Sequence, residues 1–212
     1  MFFYICLTIV FLPFFIIFPV KVVNKKRLPK KGKVLFASNH QSNSDAIIIA
    51  HRFSTIRRFK FMAKSKLFKN KFVSWFLRKL GAYPITQNSS DISAIKTTMT
   101  HLKNGQAVCV FPEGTRLVSN EKNDLKNGVA MIALRTKTPI VPSYFIKHTK
   151  PFSRNILVVG ESFNLSEMEE FKDKKIDKEL LNLASKIVSK KMFECRDNYF
   201  IELHRKNAKY KK

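Results

Sequence analysis

Residues 34–50 read VLFASNHQSNSDAIIIA, two apolar runs separated by a polar stretch. The first run, VLFA, has the length and composition of a buried strand. The second run, AIIIA, follows serine and aspartate residues, which favour the first turn of a helix. The whole stretch therefore predicts a strand, a polar loop and a helix, with His40 and Asp45 beside the loop.

The same alternation continues along the chain. Further apolar runs predict strands at 59–63, 83–85, 106–111, 140–145 and 156–159. Segments with helical spacing lie between them at 64–80, which Gly81 ends, and at 90–102 and 127–136. Strands that alternate with helices predict an α/β domain with a largely parallel or mixed sheet flanked by helices. We assign residues 34–165 to the core of this single domain.

A charged segment follows the domain core. Ser166 and Glu169 have the spacing of a capping box, in which each side chain bonds a backbone amide at the start of a helix. The pattern predicts a C-terminal charged helix and tail over residues 166–212.

The N-terminal stretch 2–20 carries no charge and has about the length that crosses a hydrocarbon core. We therefore predict a membrane-embedded helix and assign residues 1–23 to a membrane anchor. Pro13 and Pro19 leave open whether it spans the bilayer or lies in one leaflet. The basic residues of 24–33, a juxtamembrane linker, predict that the domain lies on the cytoplasmic face.

The charge is distributed unevenly. The formal net charge is +25, yet the first 112 residues contain only two acids, Asp45 and Asp91, against 19 lysines and arginines. A basic surface of this kind favours anionic partners: phospholipid head groups, nucleic acid or an acidic carrier protein. The three cysteines have neither the spacing of a metal site nor that of a disulfide framework.

His40 and Asp45 are candidates for chemistry because they follow a predicted strand in an α/β domain, where ligand sites gather. The two residues are five positions apart, across a loop and the first turn of a helix. At this spacing the Asp45 carboxylate can bond one imidazole nitrogen of His40 and leave the other nitrogen to act as a general base. A structural alternative is a helix cap by Ser42 or Ser44, with Asp45 favouring the helix dipole and His40 incidental.

A second polar motif, FPEGTR at 111–116, also follows an apolar strand. Its proline and glycine require a turn, which brings a carboxylate, a hydroxyl and a guanidinium together. Arginine is suited to bidentate phosphate binding, and threonine and turn amides add donors. The structural alternative is a polar surface turn with a local Glu113–Arg116 pair.

Taken together, the N-H-x4-D block and the later F-P-E-G-T-R block resemble those of the glycerolipid acyltransferases, typified by the 1-acyl-sn-glycerol-3-phosphate acyltransferases. FMAKSKLF, LGAYPI, LKNGVAMIAL and PIVPSYF are similar to further blocks of that family. The resemblance covers residues 34–160. It implies direct transfer of an acyl group from acyl-CoA or acyl carrier protein to the hydroxyl of lysophosphatidic acid, without a metal or other cofactor.

The resemblance also implies roles for particular residues. His40 would be the general base and Asp45 would orient it. The phosphate of the acceptor would be held by residues of the second motif and by the lysine of LKNG, namely Glu113, Gly114, Thr115, Arg116 and Lys126. A surface position for Lys126 remains the alternative.

The chain departs from the family pattern at two positions. Gln87 stands near the place where many members carry an arginine, and Leu117 stands where serine is usual. The first departure leaves room for another lysophospholipid or a lyso-glycolipid as acceptor.

A non-catalytic protein that binds membranes or nucleic acid is the rival class. Residues 57–76 interleave basic and aromatic side chains, as a nucleic-acid surface would. The same pattern describes an amphipathic helix on an acidic bilayer. Since the apolar stretch draws the domain to a membrane, we predict an anionic membrane surface and no nucleic acid as partner.

Overall fold

The computed structural model describes residues 9, 12–42, 44–85, 92–112, 127–146, 152–153 and 155–209. In this part of the chain, seven strands form one sheet in the order β1-β7-β6-β2-β5-β3-β4. Their bounds are β1 Val20–Val23, β2 Val34–Ser38, β3 Phe59–Lys64, β4 Ala82–Ile85, β5 Ala107–Val110, β6 Ile140–Phe145 and β7 Asn155–Val159.

The sheet is mixed, as predicted. Strand β2 pairs in parallel with β5 and β6, and β3 pairs in parallel with β4 and β5. Strands β6 and β7 are antiparallel, and β1 runs parallel to β7. Every residue of β2 and β6 is buried, which fits strands that have neighbours on both sides and helices on both faces.

Six helices flank the sheet within the described residues. They are α1 Leu12–Ile17, α2 Ser44–Phe53, α3 Lys71–Lys79, α4 Ile92–Lys103, α5 Gly128–Thr136 and α6 Lys178–Lys209.

The helices form two layers, because successive strand residues point to opposite faces. On one face Phe36 packs with Ile48 and Phe53 of α2 and with Phe76 of α3. On the other face Leu35 belongs to a second cluster, with residues of α4, α5 and α6.

The described end of the N-terminal stretch differs from its prediction. No helix in the described residues has both the length and the apolar character needed to cross a membrane. Helix α1 ends at Ile17, and Val20–Val23 pairs with β7 as an edge strand. Pro19 disfavours helical geometry at the residue before it, which explains the break. The last four residues assigned to the anchor therefore belong to the sheet of the domain.

The predicted linker 24–33 also packs on the domain. Residues Lys25–Arg27 form a 3₁₀ turn, and Leu28 is buried. The Arg27 guanidinium donates to the Val159 carbonyl at 3.2 Å and pairs with Glu161 at 3.1 Å. The folded domain therefore starts earlier in the chain than residue 34, the predicted start of its core.

The helix predicted at 64–80 is divided into two pieces. A 3₁₀ turn covers Ser65–Phe68, and α3 begins after Asn70. The Asn70 side-chain Oδ1 atom accepts from the amides of Phe72 and Val73 at 2.9 and 3.1 Å, so this side chain starts a new helix. Gly81, with φ of +96°, follows the helix as predicted.

The capping box predicted at Ser166 and Glu169 is wrong. Asn164 instead caps a short 3₁₀ turn, Leu165–Glu167, and accepts from the Ser166 amide at 3.2 Å. The C-terminal helix starts at Lys178, where the Asp177 carboxylate accepts from the Leu180 amide at 2.8 Å. Leu165 is fully buried, so its burial holds the 3₁₀ turn against the core.

Candidate active site

The candidate site lies where β2 ends. The chain leaves this strand at Ser38 and begins α2 at Ser44, so the polar loop stands between a strand end and a helix start. Strands β5 and β6 run parallel to β2 on either side, and their carboxyl ends reach the same edge of the sheet. Ligands bind at this edge in open α/β sheets.

His40 and Asp45 are in direct contact. The His40 Nδ1 atom lies 3.0 Å from the Asp45 Oδ2 atom. The Asp45 side chain is fully buried, whereas 21% of the His40 side chain is exposed. The imidazole is therefore held from behind by a carboxylate and reaches the surface of the site.

The loop backbone fixes the carboxylate. The Asp45 Oδ2 atom also accepts from the amides of Gln41 at 2.7 Å and Ser42 at 2.8 Å. Both amides precede the helix, so the carboxylate holds the loop together rather than acting only on the helix dipole. Ser42 makes a local turn of its own, since its hydroxyl accepts from the Ser44 amide at 3.2 Å. The local turn and the His40–Asp45 contact therefore coexist.

Phe111 brings the second motif to the histidine. Its ring stacks on the His40 ring with centroids 4.1 Å apart and 21° between the planes. Phe111 directly follows β5, and Pro112 after it is buried. The other predicted residues of this group, Glu113, Gly114, Thr115, Arg116 and Lys126, lie outside the described residues, as do Gln87 and Leu117.

Asn39 holds the loop to β6, a role that no motif in the sequence predicted. Its buried amide donates to the Phe145 carbonyl at 3.1 Å and accepts from the Phe145 amide at 2.7 Å. The Gln41 side chain donates to the same carbonyl at 3.3 Å. A polar residue at a buried strand end needs hydrogen-bond partners inside the protein, and this is the one sequence signal that pointed to a structural role for Asn39.

Cys109 lies in β5 next to the buried carboxylate. Complete burial raises the pKa of the Cys109 thiol well above its usual value, and the negative charge of Asp45 raises it further. The thiol is therefore protonated at neutral pH, which does not suit a nucleophile. In the described ranges, no group of three or more His, Cys, Asp or Glu side chains could hold a metal ion.

The arrangement is suited to general-base chemistry. A carboxylate that bonds Nδ1 fixes the tautomer that carries its proton there, so that Nε2 is the basic nitrogen. The ring is kept in place by Asp45 on its edge and by Phe111 on its face.

Comparisons with known proteins show which proteins this chain is similar to. The sequence model of the acyltransferase family matches residues 19–146, from just before β1 to the end of β6. A 1-acyl-sn-glycerol-3-phosphate acyltransferase of Bacillus subtilis is 36% identical over 126 residues, which are 59% of this chain and 62% of that protein. One of Streptococcus pneumoniae is 29% identical over 165 residues, which are 73% of this chain and 59% of that protein.

A solved structure shares the fold. The crystal structure of the 1-acyl-sn-glycerophosphate (LPA) acyltransferase, PlsC, from Thermotoga maritima superposes with a TM-score of 0.63 at 26% identity. The superposition covers 82% of this chain and 71% of that one. The chain spans about 60% of the length of the two bacterial relatives that it matches.

Proposed function

The chain belongs to the acyltransferase family, and from this membership we propose that it acylates the free hydroxyl of 1-acylglycerol-3-phosphate to give phosphatidic acid. The acyl donor is a thioester, acyl-CoA or acyl carrier protein, and no further cofactor takes part. Support comes from two bacterial relatives and from the protein of the matching structure, because each is named as an acyltransferase of this lysolipid.

One observation carries the mechanism: the His40 ring held between the buried Asp45 carboxylate and the Phe111 ring. His40 Nε2 takes the proton of the lysolipid hydroxyl while the oxygen attacks the thioester carbonyl. The tetrahedral intermediate then collapses, the carbon–sulfur bond breaks, and the thiolate leaves with the proton that His40 returns. Asp45 stabilises the imidazolium formed between these steps.

The phosphate of the acceptor is assigned to the second motif. Phe111 stands beside His40, and the sequence continues from it into Glu113, Gly114, Thr115 and Arg116. We propose that Arg116 binds the phosphate with help from the turn and from Lys126. We also propose that the enzyme works at the cytoplasmic face of the cell membrane, because uncharged residues precede β1 and basic residues that attract anionic lipid follow it.

Variants of His40 test the mechanism. Membranes that contain the full chain are given labelled acyl-CoA or acyl carrier protein with a panel of lysolipids. His40→Ala is expected to lower the initial rate by about 10²-fold or more, the typical contribution of a general base. Asp45→Asn is expected to slow the reaction as well, because an amide can hold the wrong tautomer.

The matched control is His204→Ala, an exposed histidine on α6, which is expected to keep the wild-type rate. A wild-type rate for His40→Ala would contradict the mechanism. Acylation of another lysophospholipid or a lyso-glycolipid in preference to lysophosphatidic acid would keep the chemistry but change the acceptor, as the glutamine at position 87 allows.

A further inference from the structure

The turn and helix that follow β3 expose large apolar side chains. We call this surface the α3 face and define it by Leu67, Phe72, Val73 and Trp75, whose exposed fractions are 48, 73, 37 and 51%. No residue of α3 is fully buried. Phe72 and Trp75 lie one turn apart with ring centroids at 6.0 Å, so they form one aromatic surface.

Basic residues surround the α3 face, and acids are absent from its stretch of sequence. Residues 46–90 contain neither Asp nor Glu. The exposed cationic side chains on the turn and the helix are Lys64, Lys66, Lys69, Lys71, Arg78 and Lys79.

The α3 face begins at the same edge of the sheet as the candidate active site. Strand β3 runs parallel to β5 and ends at Lys64, so the turn with Leu67 follows a carboxyl strand end just as His40 does. On its inner side α3 packs through Phe76 against the cluster that includes α2. Among the described residues, every acid except the buried Asp45 lies at position 161 or later, either on α6 or in the segment between β7 and α6, and both pack in the other layer.

We propose that the α3 face docks on an anionic phospholipid bilayer. Phe72 and Trp75 enter the head-group region, where aromatic rings are favoured, and the surrounding lysines lie among the lipid phosphates. The charge complementarity and the large exposed rings favour a bilayer as the occupant. This inference deepens the proposed function, on which it rests for a lipid acceptor: docking here turns the edge that carries His40 toward the membrane in which that acceptor lies.

Trp75 is the only tryptophan of the chain, so its fluorescence reports on this face alone. The full-length protein is mixed with vesicles of phosphatidylcholine containing phosphatidylglycerol, and with a matched set that carries bromine on the acyl chains. We expect the emission to move to shorter wavelength and the bromolipid to quench it, with both effects weaker in pure phosphatidylcholine and in high salt. Unchanged Trp75 emission in vesicles that sediment with the protein would overturn the proposal.

Substitutions test whether the α3 face, and not another surface of the protein, binds the vesicles. Phe72→Ala is expected to raise the lipid concentration for the half-maximal Trp75 shift by about tenfold, as loss of one buried aromatic side chain would. Lys69→Gln and Lys71→Gln are each expected to raise it about fivefold. The matched control is Phe200→Ala, an exposed phenylalanine near Asp197 and Glu202 on α6, which should leave the shift unchanged. Equal effects of Phe72→Ala and Phe200→Ala would contradict the assignment.

Two further measurements distinguish a failure of the docking proposal from a failure of the proposed function. The His40→Ala variant is expected to give the wild-type Trp75 shift, so that loss of turnover and loss of docking are separate results. If acyl carrier protein shifts the Trp75 emission and vesicles do not, the α3 face is a protein-docking surface and the bilayer proposal is wrong.

Discussion

Gly160 follows β7 at a point where there is no room for a side chain. A Cβ atom placed there would lie 2.6 Å from the Cys195 sulfur and 2.8 Å from the Pro142 ring. Cys195 is nearly buried, and its thiol donates to the Lys191 carbonyl at 3.2 Å, so it cannot easily move. Gly160→Ala is therefore expected to lower the free energy of unfolding by about 1–3 kcal/mol, the usual cost of overpacking, as measured by urea denaturation.

Gly128→Ala is the control for this prediction. A Cβ atom at Gly128 would meet no heavy atom within 4 Å, and the residue opens α5. Alanine there should leave stability unchanged or raise it slightly, because it restricts the unfolded chain. Similar losses in the two variants would show that steric contact at Gly160 is not the cause.

At the scale of residues, the sequence predicted contacts between near neighbours and missed those between distant ones. The His40–Asp45 contact was predictable because a separation of five residues across a loop allows few relative positions of the two side chains. The Phe111 stack and the Asn39 bonds to Phe145 depend on which strands are neighbours of β2. Strand order is set by packing of the whole sheet, which no local pattern contains.

Strand β4 and helix α4 are joined by a buried hydrogen bond, and its contribution to the free energy of unfolding depends on pH. The Thr98 hydroxyl donates to the Ala94 carbonyl at 2.7 Å, so the Tyr83 hydroxyl donates to Thr98 at 2.6 Å. Burial raises the pKa of Tyr83 to about 12, an effect that outweighs the opposing influence of the Thr98 bond. Since the unfolded side chain ionises near pH 10, the stability that Tyr83 contributes is complete below about pH 10 and is lost as the pH rises toward 12.

Tyr83→Phe tests this contribution. At neutral pH the variant is expected to be less stable by about 1 kcal/mol, the value of one neutral hydrogen bond. The difference from wild type, measured by denaturant unfolding, should shrink between pH 10 and pH 12. A difference that stays constant or widens over this range would contradict a raised pKa for Tyr83.

At the scale of elements, the sequence predicted most strands and helices but misplaced several ends. Helical spacing runs through 64–80 without a break, and only the capping bonds of Asn70 reveal that a new helix begins. The Ser166–Glu169 spacing suggested a cap, but Asn164 two residues earlier occupies that role for a short turn. Side chains that can cap compete locally, and the buried neighbours decide which of them succeeds.

Across the whole molecule, one guanidinium joins its own loop, between α2 and β3, to two other loops at the edge of the sheet opposite the candidate site. Arg57 donates to the carbonyls of Pro29 at 3.0 Å, Gly32 at 2.6 Å and Gly105 at 3.5 Å. Arg57→Ala is expected to lower the free energy of unfolding by about 2 kcal/mol, the order of a charged hydrogen bond. Urea denaturation measures the loss.

Arg135→Ala is the matched control, since this arginine is exposed on α5, and a change within about 0.5 kcal/mol is expected. Arg57→Lys should restore only part of the stability, because an ammonium group cannot fork between carbonyls as a guanidinium does. Full rescue by lysine would show that charge alone, and not geometry, joins the loops.

The pairing of β1 with β7 also affects how the protein is made. Val20 pairs with Asn155, about 135 residues later in the chain, so β1 leaves the ribosome well before the strand with which it pairs. At the usual speed of translation this delay is on the order of ten seconds. During that time Val20–Val23 and the apolar α1 before it have no sheet to join, so a chaperone or a membrane is in a position to bind them before the fold does.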